Sequence, residues 1–268
     1  MTGLPTPVLM VGAGHMGGAL IAGWRRAGAL APGDLILRDP KPGVEAQKAA
    51  ADGAALNGSD DDLARARTVI LAVKPQAWRP IALAIAPLLA PGAVVISIMA
   101  GVASADLSAA LPRHPIARVM PTTAAAVNKG AASLWSADPQ GREVARALFA
   151  PLGVTVDLDD ESLMHVATAA SGSAPAYVFA LVEALEAAGV AAGLSADAAL
   201  TLSRAALVGA AALLEQSGEA AGDLRRQVTS PGGTTEAALR VLLGDHALGE
   251  LMTRAVRAAA ARSRELGA

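Results

Sequence analysis

Val8-Leu9-Met10-Val11-Gly12-Ala13-Gly14-His15-Met16-Gly17 is an apolar run that passes through glycines into the start of a helix. Four uninterrupted apolar residues read as a buried strand. The helix is predicted from about Met16 to Ala27, and it stops at Gly28, a residue suited to a helix end. Each glycine between strand and helix has its own task. Gly12 permits a tight turn, Gly14 lets backbone approach a pyrophosphate, and Gly17 lets the helix pack on the strand. Strand, glycine turn and helix in this order make a dinucleotide-binding fingerprint, with Gly12, Ala13, Gly14, His15, Met16 and Gly17 as cofactor-binding candidates.

Outward from this point, strands and helices alternate. Leu35 to Leu37, Thr68 to Val73, Val94 to Ile98 and Ile116 to Val119 read as strands, and Glu45 to Ala51 as a helix. Two short strands, Ala132 to Trp135 and Val154 to Leu158, flank a helix from Arg142 to Leu148. The pattern predicts an α/β domain built on a doubly wound parallel sheet of the Rossmann type. Ligands of such sheets lie beyond the carboxyl ends of the strands. That places Ala72, Val73, Lys74 and Pro75, and also Ala100 and Gly101, at the cofactor. Asp39, at the end of the second strand, would bind ribose hydroxyls and favour NADH. Arg38 and Lys41 beside it would instead pair with a 2′-phosphate and favour NADPH. The local residues point both ways.

Composition narrows the class. The 268 residues carry a formal net charge of −2 and no Lys/Arg block, so a nucleic-acid partner is not expected. There is no cysteine, which fits a reducing cytoplasm and excludes thiolate metal sites. The histidines lack metal-ligand spacing, so no metal is expected. Pro80 to Ala105 holds no charge, but Pro87 and Pro91-Gly92 cut it into helix, turn and strand rather than a membrane span.

Past Asp159 the β-rich runs disappear. Residues 1–159 are assigned to the dinucleotide-binding domain, and 160–268 to an all-helical substrate-binding and dimerisation domain. Ser162 to Val190 and Ala196 to Gln216 read as long helices. Between Ala174 and Val190 the only charges are Glu183 and Glu186. A helix apolar nearly all round is buried, and this half is too small to bury two of them unaided. A second copy is expected to cover them, in an intertwined homodimer or a larger assembly. Within this region lies Val228-Thr229-Ser230-Pro231-Gly232-Gly233-Thr234-Thr235-Glu236-Ala237-Ala238-Leu239. Ser230-Pro231 looks like a helix start, Gly232-Gly233 bares backbone amides, and Thr234 and Thr235 open the next helix. Such a turn is either a seat for a small carboxylate or a plain helix connector.

The chain resembles the pyrroline-5-carboxylate reductase family over essentially its full length. The motifs are the glycine turn, Ala72-Val73-Lys74-Pro75-Gln76, Ser97-Ile98-Met99-Ala100-Gly101-Val102, Met120-Pro121, Ser171 to Tyr177, and above all Gln227 to Thr235. The resemblance implies reduction of 1-pyrroline-5-carboxylate to L-proline with NADPH, or NADH, by a Rossmann domain and an interlocking helical domain. It adds Met120 and Pro121 to the cofactor residues and groups Gln227 with the substrate-binding signature. On that footing Ser230 Oγ and the amides of Gly232, Gly233 and Thr234 would hold the carboxylate. Thr235 Oγ would be the catalytic group at the ring nitrogen. The chain departs from the family pattern at Thr122-Thr123-Ala124, Ala174, Ala220-Ala221 and Arg226. A 3-hydroxyacid dehydrogenase is a rival, but the position of its catalytic lysine holds Val178. Other small cyclic imine carboxylates, or a non-catalytic dinucleotide-binding regulator, are the further alternatives.

Overall fold

The structure is a computed structural model of the single chain and describes residues 4–266. Its strands are β1 (Val8–Val11), β2 (Leu35–Arg38), β3 (Ala55–Leu56), β4 (Thr68–Leu71), β5 (Val94–Ser97), β6 (Ile116–Pro121), β7 (Gly130–Trp135) and β8 (Gly153–Asp157). They form one sheet in the order β3-β2-β1-β4-β5-β6-β7-β8. Alternate residues of β1 enter different cores: Val8 and Met10 pack with Trp24 and Phe149 on one face, Leu9 and Val11 with Leu63 and Trp78 on the other. Both faces are covered, which is why the central strands are continuously apolar rather than alternating. Trp24 donates from Nε1 to the Leu148 carbonyl at 2.9 Å and meets Phe149 edge-on, tying the first helix, His15–Ala27, to the helix Pro139–Phe149.

The sheet is not wholly parallel. β7 runs antiparallel to β6, whereas β8 returns parallel to β7. Only Thr122 to Lys129 join β6 to β7, with a short 3-10 turn at Thr123–Val127 and Asn128 in the left-handed region at φ 57°. A parallel crossover needs a dozen or more residues, and this connection has too few. β3 escapes sequence reading because two residues carry no pattern.

Close packing divides the chain into two compact units. One holds the chain up to Ser173 and from Arg257 onward; the other is Ala174–Val256. The sequence boundary at 159/160 thus falls inside the first unit. Met164 and Ala169 are buried there, and His165 Nδ1 lies 3.0 Å from Ser263 Oγ. Helical periodicity tells where a helix begins, not which core receives it. The single helix expected from Ser162 is instead a 3-10 turn (Glu161–Leu163), an α-turn (Met164–Ala167), a π-turn (Thr168–Gly172) and the helix Ala174–Ala191.

In the second unit, Ala174–Ala191 buries no side chain, and Ala196–Ser217 buries only Ala199 and Ser203. Phe179 is 67% exposed, Leu181 60% and Val208 68%. By length and composition alone, Glu161–Ala191 and Ala196–Ser217 are long and apolar enough to cross a membrane.

Candidate functional site

The first helix starts where β1 ends, and its N-cap, Gly14, offers no side chain. The amides of His15, Met16 and Gly17 have no hydrogen-bond partner among the described residues. Unpaired amides at a helix N-terminus attract anions. Gly12 holds φ 94°, and a Cβ there would lie 2.6 Å from the Ala72 carbonyl oxygen. A Cβ on Gly17 would collide with the Gly12 carbonyl, whereas one on Gly14 would meet nothing within 4 Å. Gly12 and Gly17 are therefore small because the chain itself crowds them. Gly14 leaves open space, the room a pyrophosphate needs.

A cleft of about 540 Å³ opens over this turn, lined by Gly12, Gly14, Arg38, Asp39, Lys41, Ala72, Val73 and Lys74 among others. Asp39 has a structural task. Its Oδ2 accepts the Ala13 amide at 2.6 Å and its Oδ1 the Lys41 amide at 2.7 Å. Asn57 brackets its backbone, accepting Asp39 N–H at 2.9 Å and donating to its carbonyl at 2.8 Å. Lys41 and Lys74 are exposed, and among the described residues Arg38 has only a loose pair with Asp60 at 3.9 Å. Three cations around one anchored carboxylate fit a phosphate-bearing dinucleotide. Pro75 opens the 3-10 turn after Lys74. Ala100 and Gly101 follow β5, and Met120 and Pro121 close β6 with little exposure. Thr122, the first departure from the family pattern, is buried; its Oγ1 accepts the Ala131 amide at 3.0 Å. Its hydroxyl belongs to the β6–β7 connection.

In the second unit, Ser230 to Gly233 form a β-turn rather than the helix start expected from Ser230-Pro231. Gly233 donates to the Ser230 carbonyl at 3.0 Å, with Gly232 at φ 72°, a backbone position that favours glycine. The Gly232 amide donates to Glu236 Oε2 at 2.6 Å, and Glu236 pairs with Arg240 at 3.1 Å. Two of the amides expected to face a ligand are thus engaged within the loop. The helix Thr234–Leu243 has no side-chain cap, and the amides of Thr234, Thr235 and Glu236 lack partners among the described residues. Ser230, Thr234 and Thr235 are exposed. Gln227 donates from Nε2 to Glu219 Oε2 at 2.5 Å, which ties it to the preceding loop. Arg226 pairs with Asp223, and with Arg225 and Arg240 it lines a second cleft of about 460 Å³ beside Thr229.

One cluster was missed from sequence. Arg118 is 3% exposed in β6 and pairs with Glu161 at 2.8 Å. Glu161 Oε1 also accepts the Ser104 amide at 2.7 Å, and its Oε2 the Ser104 hydroxyl at 2.6 Å. Burial pushes the Glu161 pKa up, but the bonds from Ser104 and Arg118 outweigh it and hold the carboxyl below its ordinary value. His165 is held low by burial and by the charges of Arg118 and Arg264. The available signal was an arginine inside the apolar run Ile116-Ala117-Arg118-Val119, since a buried charge demands a partner.

Comparison with known proteins identifies the family of the chain. Pyrroline-5-carboxylate reductase from Pseudomonas aeruginosa is 38% identical over 271 residues, covering 98% of each chain. The chain belongs to the pyrroline-5-carboxylate reductase family. The model of pyrroline-5-carboxylate reductase dimerisation matches residues 161–266, and that of the coenzyme F420-dependent NADP oxidoreductases residues 7–101. Among solved structures, a pyrroline-5-carboxylate reductase from Coxiella burnetii superposes with a TM-score of 0.88 at 28% identity, covering 98% of this chain and 99% of that one. Pyrroline carboxylate reductase from Plasmodium falciparum, with NADP bound, gives 0.84 at 26% identity, covering 99% of both. The match to the dimerisation model thus starts at Glu161, within the first compact unit.

Proposed function

We propose that this chain reduces 1-pyrroline-5-carboxylate to L-proline, with NADPH as the hydride donor and NADH as an alternative. What carries the reading is an intact Ser230 to Thr235 loop, with helix amides left unpaired, in a chain similar over its whole length to reductases of this substrate. A dinucleotide held over the glycine turn by the residues lining the cleft would supply a hydride for the imine carbon. Ser230 Oγ and the amides of Thr234, Thr235 and Glu236 hold the substrate carboxylate; Gly232 and Gly233 shape the turn that presents them. Charge-assisted hydrogen bonds contribute about 1.5–3 kcal/mol each, enough to fix a small ring. Thr235 Oγ orients the ring nitrogen or relays a proton to it through water. A threonine hydroxyl is too weak an acid to do more, so rate enhancement comes chiefly from positioning.

Arg38 and Lys41 bind the 2′-phosphate, and Asp39 serves by holding the glycine turn. A second copy of the chain covers Ala174–Ala191 and Ala196–Ser217, giving a homodimer or larger homo-oligomer acting in the cytoplasm. The assignment needs neither a membrane nor a nucleic acid, and residues 160–268 carry both substrate binding and dimerisation. Purified protein mixed with pyrroline-5-carboxylate and NADPH should consume the NADPH absorbance and yield proline, with NADH giving a slower decay. Full turnover of another cyclic imine carboxylate with none of this substrate overturns the assignment.

A further inference from the structure

The Arg118–Glu161–Ser104 cluster lies outside the cleft, yet it anchors the segment that leaves the carboxyl end of β5, the strand next to β4. Adjacent strands place Arg118 of β6 beside Ser97, the last residue of β5. From Ser97 the chain enters the turn Met99-Ala100-Gly101, where Gly101 holds φ 83°. The near side of that turn is pinned by the Met99 amide on Ser97 Oγ at 3.3 Å and the Ile98 amide on the Leu71 carbonyl at 3.1 Å. Its far side ends at Ser104, whose amide and hydroxyl are both gripped by Glu161. The carboxylate is aimed in turn by a guanidinium with almost no solvent exposure.

Strand order says which part of a dinucleotide this turn meets. Arg38 ends β2 and Asp39 follows it, on one side of β1, and so both take the adenosine half. β4, β5 and β6 lie on the other side and take the nicotinamide half. We propose that Glu161, aimed by Arg118, is a positioning residue that sets the Met99-Ala100-Gly101 turn against the nicotinamide half of the cofactor. This rests on the NADP(H) reading above. The cluster touches no reacting atom; it acts through the backbone of the turn.

Calorimetric titration with two ligands tests it: NADPH, and 2′,5′-ADP, which has the adenosine half and its 2′-phosphate but no nicotinamide. Ser104→Ala removes one bond to Glu161 and keeps the Arg118–Glu161 pair, so it folds even if Glu161→Gln, which strands a buried cation, does not. Loss of one charge-assisted bond should weaken NADPH about tenfold in Ser104→Ala, and at least as much in Glu161→Gln, while 2′,5′-ADP changes by less than about twofold. Equal weakening of both ligands, or of neither, overturns the proposal. Wild-type protein that binds neither ligand overturns the cofactor reading, and the clamp with it.

Discussion

Gly14→Ala and Gly17→Ala change adjoining parts of one turn and should fail in opposite ways. A methyl on Gly17 points into the Gly12 carbonyl and comes within 3.1 Å of Met10 Sδ, so the first helix must lift off β1. Overpacking of this kind costs about 1–3 kcal/mol. The helix gains back roughly 0.5–1 kcal/mol, because alanine is the better helix former. The net loss is about 0–2.5 kcal/mol, centred near 1, which lowers Tm by roughly 2–4 °C at the centre of that range in a chain of this size. A methyl on Gly14 meets no chain atom. There a slightly poorer N-cap is offset by the reduced freedom of the unfolded chain, a gain of about 0.4–1 kcal/mol, so Tm should barely move. The methyl does occupy the room for the pyrophosphate, and NADPH affinity should fall by about tenfold or more, equivalent to 1.4 kcal/mol. Thermal unfolding without cofactor and fluorescence titration with NADPH separate the two effects. Gly14→Ala that binds NADPH like wild type, or melts below Gly17→Ala, refutes the division between a glycine kept for the chain and one kept for the ligand.

Thr235→Ala should lower turnover by about tenfold to a thousandfold with little change in NADPH affinity, measured by steady-state kinetics beside a binding titration. Leu181→Asp and Val208→Asp place charges on the exposed apolar helices, and light scattering after gel filtration should report a smaller assembly. Stability should fall on acidification in two stages. His165 resists protonation when folded, so its contribution declines as pH drops below its ordinary 6.5. Glu161 has a folded pKa held below 4.5, so its contribution is complete above that value and disappears as pH falls through the folded pKa. Denaturant midpoints at about pH 7, about pH 5 and about pH 3.5 check this, and Glu161→Gln should flatten the lower stage.

Elements defined by local chemistry were readable in advance. β1 and its glycine turn, the helix ended by Gly28 in the left-handed conformation, and the helix opened by Thr234 lie where residue pattern places them. The roles of Asp39 and Gly232 were not readable. A carboxylate after β2 looks free until the fold brings the Ala13 and Lys41 amides onto its two oxygens. The Gly232 amide looks bared until the helix it precedes returns Glu236 to it, one turn along. Only the Ala13 amide comes from far along the chain; Lys41 and Glu236 stand two and four residues away, and turn and helix geometry bring them in.

Sequence by itself determined the two-part plan, the strand-turn-helix with its open glycine turn, and the place of the Ser230 to Thr235 turn before a helix. Each of these is written in residues adjacent along the chain, through steric freedom at glycine, periodic apolar spacing and hydroxyls at a helix start. Tertiary structure alone decided the antiparallel turn of β7, the return of the C-terminal segment to the first unit, and the pairing of Arg118 with Glu161 and Ser104. Those depend on groups far apart in sequence, and a buried charge or an unpaired amide finds its partner only when packing brings one within hydrogen-bonding reach.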